Sequence, residues 1–194
     1  MGLGKQAKTL SKGQVEAVLG YLAKTRWPTR NRVIFLLSAK AGLRAKEIAS
    51  LTWRMVTDAR GQIGQAIHLE NTASKGQSGR VIPMNDELRT ALAAYAKTTV
   101  IASSSFLIES ERSNRMSAQA IVNLFWRWYQ HIGFDGCSSH SGRRTFITNT
   151  ARKISTVGGS LRDVQMLAGH TNLRTTQRYI EANPEAQMKI VELV

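Results

Sequence analysis

The sequence predicts an α+β fold that is mainly helical with a small three-stranded antiparallel sheet. Apolar residues recur at helical spacing through most of the chain, as in Val15, Val18, Leu19 and Leu22. Between Thr52 and Met84 the pattern changes to three short strand-like runs, residues 53–56, Ala66–Leu69 and Arg80–Pro83, punctuated by Gly61, Gly64, Gly76 and Gly79. The chain shows neither internal repeat nor low-complexity tract, and its 194 residues with 42% hydrophobic content suit one folded domain.

The elements follow in order. Ser11 and Gln14 have capping-box spacing, with Leu10 and Val15 placed to staple the start of a first helix. Trp27-Pro28-Thr29 ends it and opens a second, whose Val33, Ile34, Leu36 and Leu37 make a core helix stopping near Gly42. A short amphipathic helix follows, with Arg44 at its start and Glu47 one turn on, an i,i+3 pair. Lys75 falls in the turn between the second and third predicted strands, where the neighbouring glycines would let it swing close to a ligand, although a lysine on a hairpin tip is usually just solvated. Asn85 caps a helix running to about Lys97 with Leu88, Leu92 and Tyr95 inward. Ser117 caps another to about His131, whose Phe125, Trp126, Trp128 and Tyr129 read as core. The helix after His140 carries Arg143, Phe146 and Ile147 and breaks at Gly158-Gly159. Ser160 with Asp163 starts the next, with Val164, Met166 and Leu167 as its buried stripe and Gly169 as its stop. Tyr179 lies on a further helical segment, and Asn183-Pro184 opens a terminal helix with Met188, Ile190, Val191 and Leu193 on one face.

Composition narrows the function. The 27 Lys+Arg against 13 Asp+Glu give a net charge of +14, spread along the chain, which favours a folded basic face and polyanionic partners, nucleic acid first. No run approaches the ~20 apolar residues of a membrane span, and the N-terminus lacks the apolar region of a secretory signal. The lone Cys137 excludes an internal disulfide framework and suits a reducing compartment. P-loop, zinc-ligand and nucleophile-elbow spacings are absent. The last third is different: His140 and Arg143 share one helical face, His170 sits just past Gly169, and Tyr179 follows. An anion clamped beside a nucleophile fits that set.

Five segments in this order and spacing resemble the catalytic domain of the tyrosine recombinases, the phage-integrase family. They are Ala41-Gly42-Leu43-Arg44 with Glu47-Ile48, then Ser74-Lys75-Gly76 with Arg80-Val81-Ile82-Pro83, then His140 with Arg143-Arg144-Thr145-Phe146, then Leu167-Ala168-Gly169-His170, then Thr175-Thr176 with Tyr179. Each alone is weak; their joint occurrence from about residue 8 onward is specific. The resemblance implies DNA strand cleavage and rejoining without ATP, metal or other cofactor. It implies that Tyr179 attacks the scissile phosphodiester to give a 3′-phosphotyrosyl bond and a free 5′-hydroxyl. Arg44 and Arg143 hold the non-bridging oxygens, Lys75 protonates the leaving 5′-oxygen, His140 assists proton transfer from Tyr179, and His170 donates to a phosphate oxygen. Glu47 orients the arginine shell, while Arg144, Arg80 and Arg174 are expected at DNA.

The partners implied are double-stranded DNA, a homo-oligomer (a tetramer on DNA) joined through the C-terminal tail, and accessory DNA-bending proteins; no membrane is involved. The expected location is cytoplasmic and nucleoid-associated, in a prokaryote, phage or plasmid. The expected organisation is a basic segment over residues 1–9 and a catalytic domain over 10–194, without the N-terminal clamp domain that members commonly carry. That is either a naturally short form, as in fimbrial phase-switch recombinases, or a fragment. Rival readings are a type IB topoisomerase, a non-catalytic DNA-binding regulator and an interaction module with a degenerate site.

Overall fold

The structure, a computed structural model, describes residues 7–74, 78–99, 101–179, 188, 191 and 192. Two helices cross at its centre. α2 (Pro28–Ala41) buries Val33, Ile34, Phe35, Leu36 and Leu37 completely, so this middle stretch is apolar on every side and must be surrounded. α6 (Ser141–Lys153) lies against it so closely that a Cβ on Gly142 would sit 2.7 Å from Ser38 Oγ. Around this pair stand α1 (Lys12–Leu22), α3 (Ala45–Ser50), α4 (Asp86–Ala96) and α5 (Ala118–His131), then α7 (Leu161–Ala168) and α8 (Leu173–Gln177).

The local stop and start signals act as the sequence predicts. Ser11 and Gln14 close a capping box on α1, and Ser160 with Asp163 closes another on α7. Asn85 and Ser117 accept from the third backbone N–H of α4 and α5. Gly42 ends α2 in the left-handed region at φ 66°, where a side chain would also meet the Phe146 ring. Leu10 N donates to Thr145 Oγ1 at 2.7 Å and Lys8 N to Gly136 O at 3.2 Å, tying the start of the described chain to α6 and the loop before it.

The sheet has two strands, not three. β1 (Ala66–Leu69) pairs antiparallel with β2 (Arg80–Pro83), Ile67 opposite Ile82. The first predicted strand is a 3-10 turn, Trp53–Met55, because Met55 N and Val56 N bond locally to Thr52 O and Trp53 O. Trp53, Met55 and Val56 are all buried, and burial of adjacent residues breaks the alternation of a one-sided strand. Two side chains also depart from expectation: Trp126 is 60% exposed while Phe125, Trp128 and Tyr129 form the core cluster, and Met166 faces solvent while Val164 is buried. Lys75 and most of the predicted terminal helix lie outside the described residues. Among the described residues no helix is long and apolar enough to cross a membrane.

Candidate active site

The site is built where α2 and α7 end, beneath α6. Arg143 projects from the first turn of α6 and is 2% exposed. Its Nη1 donates to Gly42 O, at the C-cap of α2, and its Nη2 donates to Ala168 O, the last residue of α7, at 2.7 Å. One guanidinium therefore satisfies the carbonyl ends of two helices, where the helix dipoles favour a cation. Burial, then the charge of Arg44, pulls the Arg143 guanidinium down to about 10, so it stays protonated at neutral pH.

Arg143 Nη2 also reaches His170 Nε2 at 2.9 Å. A guanidinium can only donate, so Nε2 is the bare nitrogen and the ring proton sits on Nδ1, which reaches Thr176 Oγ1 at 3.0 Å. Gln165 Nε2 donates to the His170 carbonyl at 2.8 Å and fixes the turn after Gly169. Burial first, then the charges of Arg143, Arg44 and Arg80, push the His170 imidazolium down to about 4, leaving the ring neutral at physiological pH. The Tyr179 ring stacks on it, with centroids 5.4 Å apart and planes inclined by 25°. The backbone carbonyl of Tyr179 accepts from Thr148 Oγ1 of α6 at 3.1 Å, fastening the tyrosine segment to the helix that carries Arg143.

His140 stands exposed at the head of α6 and shares with Tyr179 a cleft of about 270 Å³, also lined by Arg144, Thr175 and Arg178. Partial burial and the charges of Arg143 and Arg44 hold the His140 ring below its ordinary value, so it too is neutral at pH 7 and able to accept a proton. Arg44 caps α3: its N–H donates to Glu47 Oε2 at 2.8 Å and its Nη1 to Glu47 Oε1 at 2.9 Å. Glu47 is fully buried; desolvation raises its pKa, but the hydrogen bonds and charges of Arg80 and Arg44 outweigh that and hold it below the ordinary carboxylate range.

Arg80 is not the surface residue the sequence suggested. Its side chain is 8% exposed and turned inward to Glu47, so its position on β2 does not offer it to DNA. Arg174 is exposed on α8, and Arg144 lines the cleft beside Tyr179. Lys75 lies outside the described residues. The structure thus brings Arg44, Glu47, Arg143, His170, Tyr179 and His140 to one place. Sequence reasoning missed Thr176, Gln165, Thr175 and Arg178; the doublet Thr175-Thr176 preceding Tyr179 was the available signal for two of them. Among the described residues no group of three His, Cys, Asp or Glu side chains could hold a metal ion.

Such an arrangement suits a phosphate ester brought to a phenol: buried cations for the charge and neutral imidazoles for the protons. The chain belongs to the phage integrase family, whose sequence profile matches residues 8–186. It is 30% identical over 187 residues to the tyrosine recombinase XerA of Thermococcus kodakarensis, spanning 95% of this chain and 62% of that protein. It is 32% identical over 190 residues to XerD of Pseudomonas putida, spanning 91% and 58%. The chain therefore spans about three-fifths of the length of the curated relatives it matches. Two solved structures share the fold: a Tn1549 transposon integrase in complex with a circular intermediate DNA (TM-score 0.77, 21% identity, 99% of this chain and 67% of that one) and a XerA recombinase (TM-score 0.71, 23% identity, 95% and 64%).

Proposed function

We propose that this chain is the catalytic domain of a site-specific DNA recombinase that breaks and rejoins strands through a 3′-phosphotyrosyl intermediate, with Tyr179 as the nucleophile. The observation that supports this most directly is the chain of contacts from Arg143 through His170 to the Tyr179 ring, beside a cleft shared with His140. A phenol titrates near ~10 and needs help to attack at neutral pH. His140, held neutral, takes the phenolic proton as the tyrosyl oxygen bonds to phosphorus. Arg44 spends one Nη on Glu47 and keeps its other guanidinium nitrogens without a partner among the described residues; these face the charge that builds on the non-bridging oxygens. The P–O5′ bond breaks, and Lys75 supplies the proton to the leaving oxygen. Rejoining is the reverse: the freed 5′-hydroxyl attacks phosphorus and Tyr179 leaves, so the bond energy is kept and no ATP is consumed.

His170 begins with its Nε2 lone pair on Arg143, so donation to a phosphate oxygen requires a second ring proton. Burial and then three guanidinium charges keep that proton away, and an arriving phosphodiester offsets the charges, which makes the role compatible with the resting geometry. Glu47 orients Arg44, and Arg144 and Arg174 contact the DNA backbone from the cleft rim and α8.

The biological unit we propose is a tetramer on DNA, in which the apolar tail of one protomer docks on its neighbour, with accessory DNA-bending proteins and a cytoplasmic, nucleoid-associated setting. A groove of about 560 Å³ lined by Leu10, Val15 and Phe146 together with Lys12, Lys40 and Lys153 supports this; the tail offers Met188 and Val191, 70% and 67% exposed, between Glu185 and Glu192.

The experiment is a suicide substrate whose cleaved strand diffuses away. The wild type accumulates a covalent DNA adduct and Tyr179→Phe does not. An adduct surviving in Tyr179→Phe removes Tyr179 as the nucleophile.

A further inference from the structure

We propose that Arg80 is a positioning residue for the reaction: it fills the Glu47 carboxylate and ties β2 to the end of α7, and thereby leaves Arg44 free to face the phosphate. The inference rests on the reading of this site as a phosphate clamp.

A carboxylate offers about four lone-pair sites, and a buried one must have its charge met inside the protein. Glu47 Oε1 takes Arg44 Nη1 at 2.9 Å and Arg80 Nη1 at 3.1 Å; Oε2 takes Arg44 N at 2.8 Å and Arg80 Nη2 at 3.3 Å. All four positions are occupied, half of them by Arg80. With Arg80 gone, a fully buried carboxylate would have two open positions. The nearest mobile cation is Arg44, whose guanidinium can turn to fork both oxygens. Every nitrogen it commits there is withdrawn from the phosphate. Arg80 is thus what lets Glu47 hold Arg44 by its backbone N–H and a single guanidinium nitrogen.

The same guanidinium has a second task. Its Nε donates to Leu167 O at 2.9 Å, and its Nη1 lies 3.5 Å from Ser78 O, just beyond the segment that carries Lys75. A Cβ on Gly169 would sit 2.6 Å from that Nη1, so Arg80 lies flat against the backbone where α7 turns into His170. Strand β2, the arginine shell and the histidine turn are therefore fastened through one planar group. The charged groups facing Glu47 are Arg44 from the cap of α3, Arg80 from β2 and Arg143 from α6, with His170 beyond the end of α7.

The test compares the full chain with Arg80→Met, Arg80→Lys and the double variant Arg80→Met with Glu47→Gln, all on the suicide substrate and with thermal melts recorded alongside. Arg80→Met should cut the cleavage rate at saturating DNA by about 10²-fold, the scale of a misplaced catalytic group, while the half-saturating DNA concentration changes little. Arg80→Lys keeps a charge on Glu47 without the fork and should recover part of the rate. In the double variant the neutral amide no longer recaptures Arg44, so cleavage should exceed that of Arg80→Met. The acid limb of the rate–pH profile should move to higher pH in Arg80→Met, because Glu47 loses the partner that most lowers it. Wild-type cleavage by Arg80→Met overturns the inference, as does a loss expressed wholly as weaker DNA binding. A loss that tracks the melting temperature, with an unmoved pH profile and no gain in the double variant, overturns it as well. Should Arg80→Met not fold, Arg80→Lys carries the same rate and pH readouts. A wild type that forms no adduct defeats the reading of the whole site, whereas a wild type that reacts alongside an equally reactive Arg80→Met defeats only the role of Arg80.

Discussion

Mild acid should destabilise this fold through His170, and the size of the effect follows from its contacts. In the folded chain Nε2 accepts from Arg143 at 2.9 Å and Nδ1 serves Thr176, so a second ring proton has nowhere to go. It would point at an N–H donor and add a positive charge beside three guanidinium groups. Burial first, and then those three charges, mean that the folded ring takes that proton only near pH 4, against 6.5 for an ordinary imidazole. Between those values the unfolded chain binds the extra proton and the folded chain does not, so stability rises with pH there and is lost as pH falls. At ~1.4 kcal/mol per pH unit over the part of this window between pH 6.5 and 5, the loss is about 2 kcal/mol.

Urea unfolding at pH 7, 6 and 5, followed by tryptophan fluorescence, measures it in the wild type and in His170→Gln. The variant should be less stable at pH 7, because Arg143 and Thr176 lose their partner. Its stability should fall less on acidification, so that the gap between the two proteins narrows by about 2 kcal/mol at pH 5. His140, whose ring is also held below its ordinary value, contributes with the same sign in both proteins and cancels in the difference. Parallel pH profiles would refute the reasoning, since they would mean that His170 titrates alike folded and unfolded and is not locked between Arg143 and Thr176.

Other outcomes can be stated more briefly. Gly42→Ala places a Cβ against the Phe146 ring at a positive φ, and should cost about 2–4 kcal/mol of unfolding free energy in a denaturant titration. Lys75→Ala should lose cleavage on an ordinary phosphodiester and regain it on a substrate whose 5′-bridging oxygen is replaced by sulfur, a leaving group that needs no acid; failure of that rescue means another group protonates the leaving oxygen. Affinity for DNA should fall steeply as salt rises, because each Lys or Arg contact to a phosphate releases counterions, and a flat profile in a fluorescence titration would argue against a phosphate-dominated interface.

What the sequence revealed and what it hid divide along a physical line. The caps at Ser11, Asn85, Ser117 and Ser160 and the stop at Gly42 were legible because a cap depends on residues within three or four positions of each other. Arg44, His140, Arg143, His170 and Tyr179 were singled out through the resemblance of five short segments in order, not by any one segment's spacing, and the fold brings these side chains together. The misreadings were long-range. Trp53 and Met55 alternate like a strand, but their segment is bonded to itself and to the distant carbonyls of Ser103 and Ser105. Arg80 looked like a basic residue at a strand end and therefore like a DNA contact. Its partners lie 33 and 87 residues away, at Glu47 and Leu167, and no periodicity encodes a pairing at that separation. Glu47 shows the same limit: the resemblance gives it the task of orienting the arginine shell, but local spacing offers only an i,i+3 partner for Arg44, and the second arginine that closes over the fully buried carboxylate is not written in that spacing. Burying that charge is tolerable only because two cations share it, and that sharing leaves each arginine with nitrogens to spare for other acceptors. Candidate groups for such a site can be singled out from several short segments taken together, whereas the electrostatic balance around them is set by contacts only the folded chain creates.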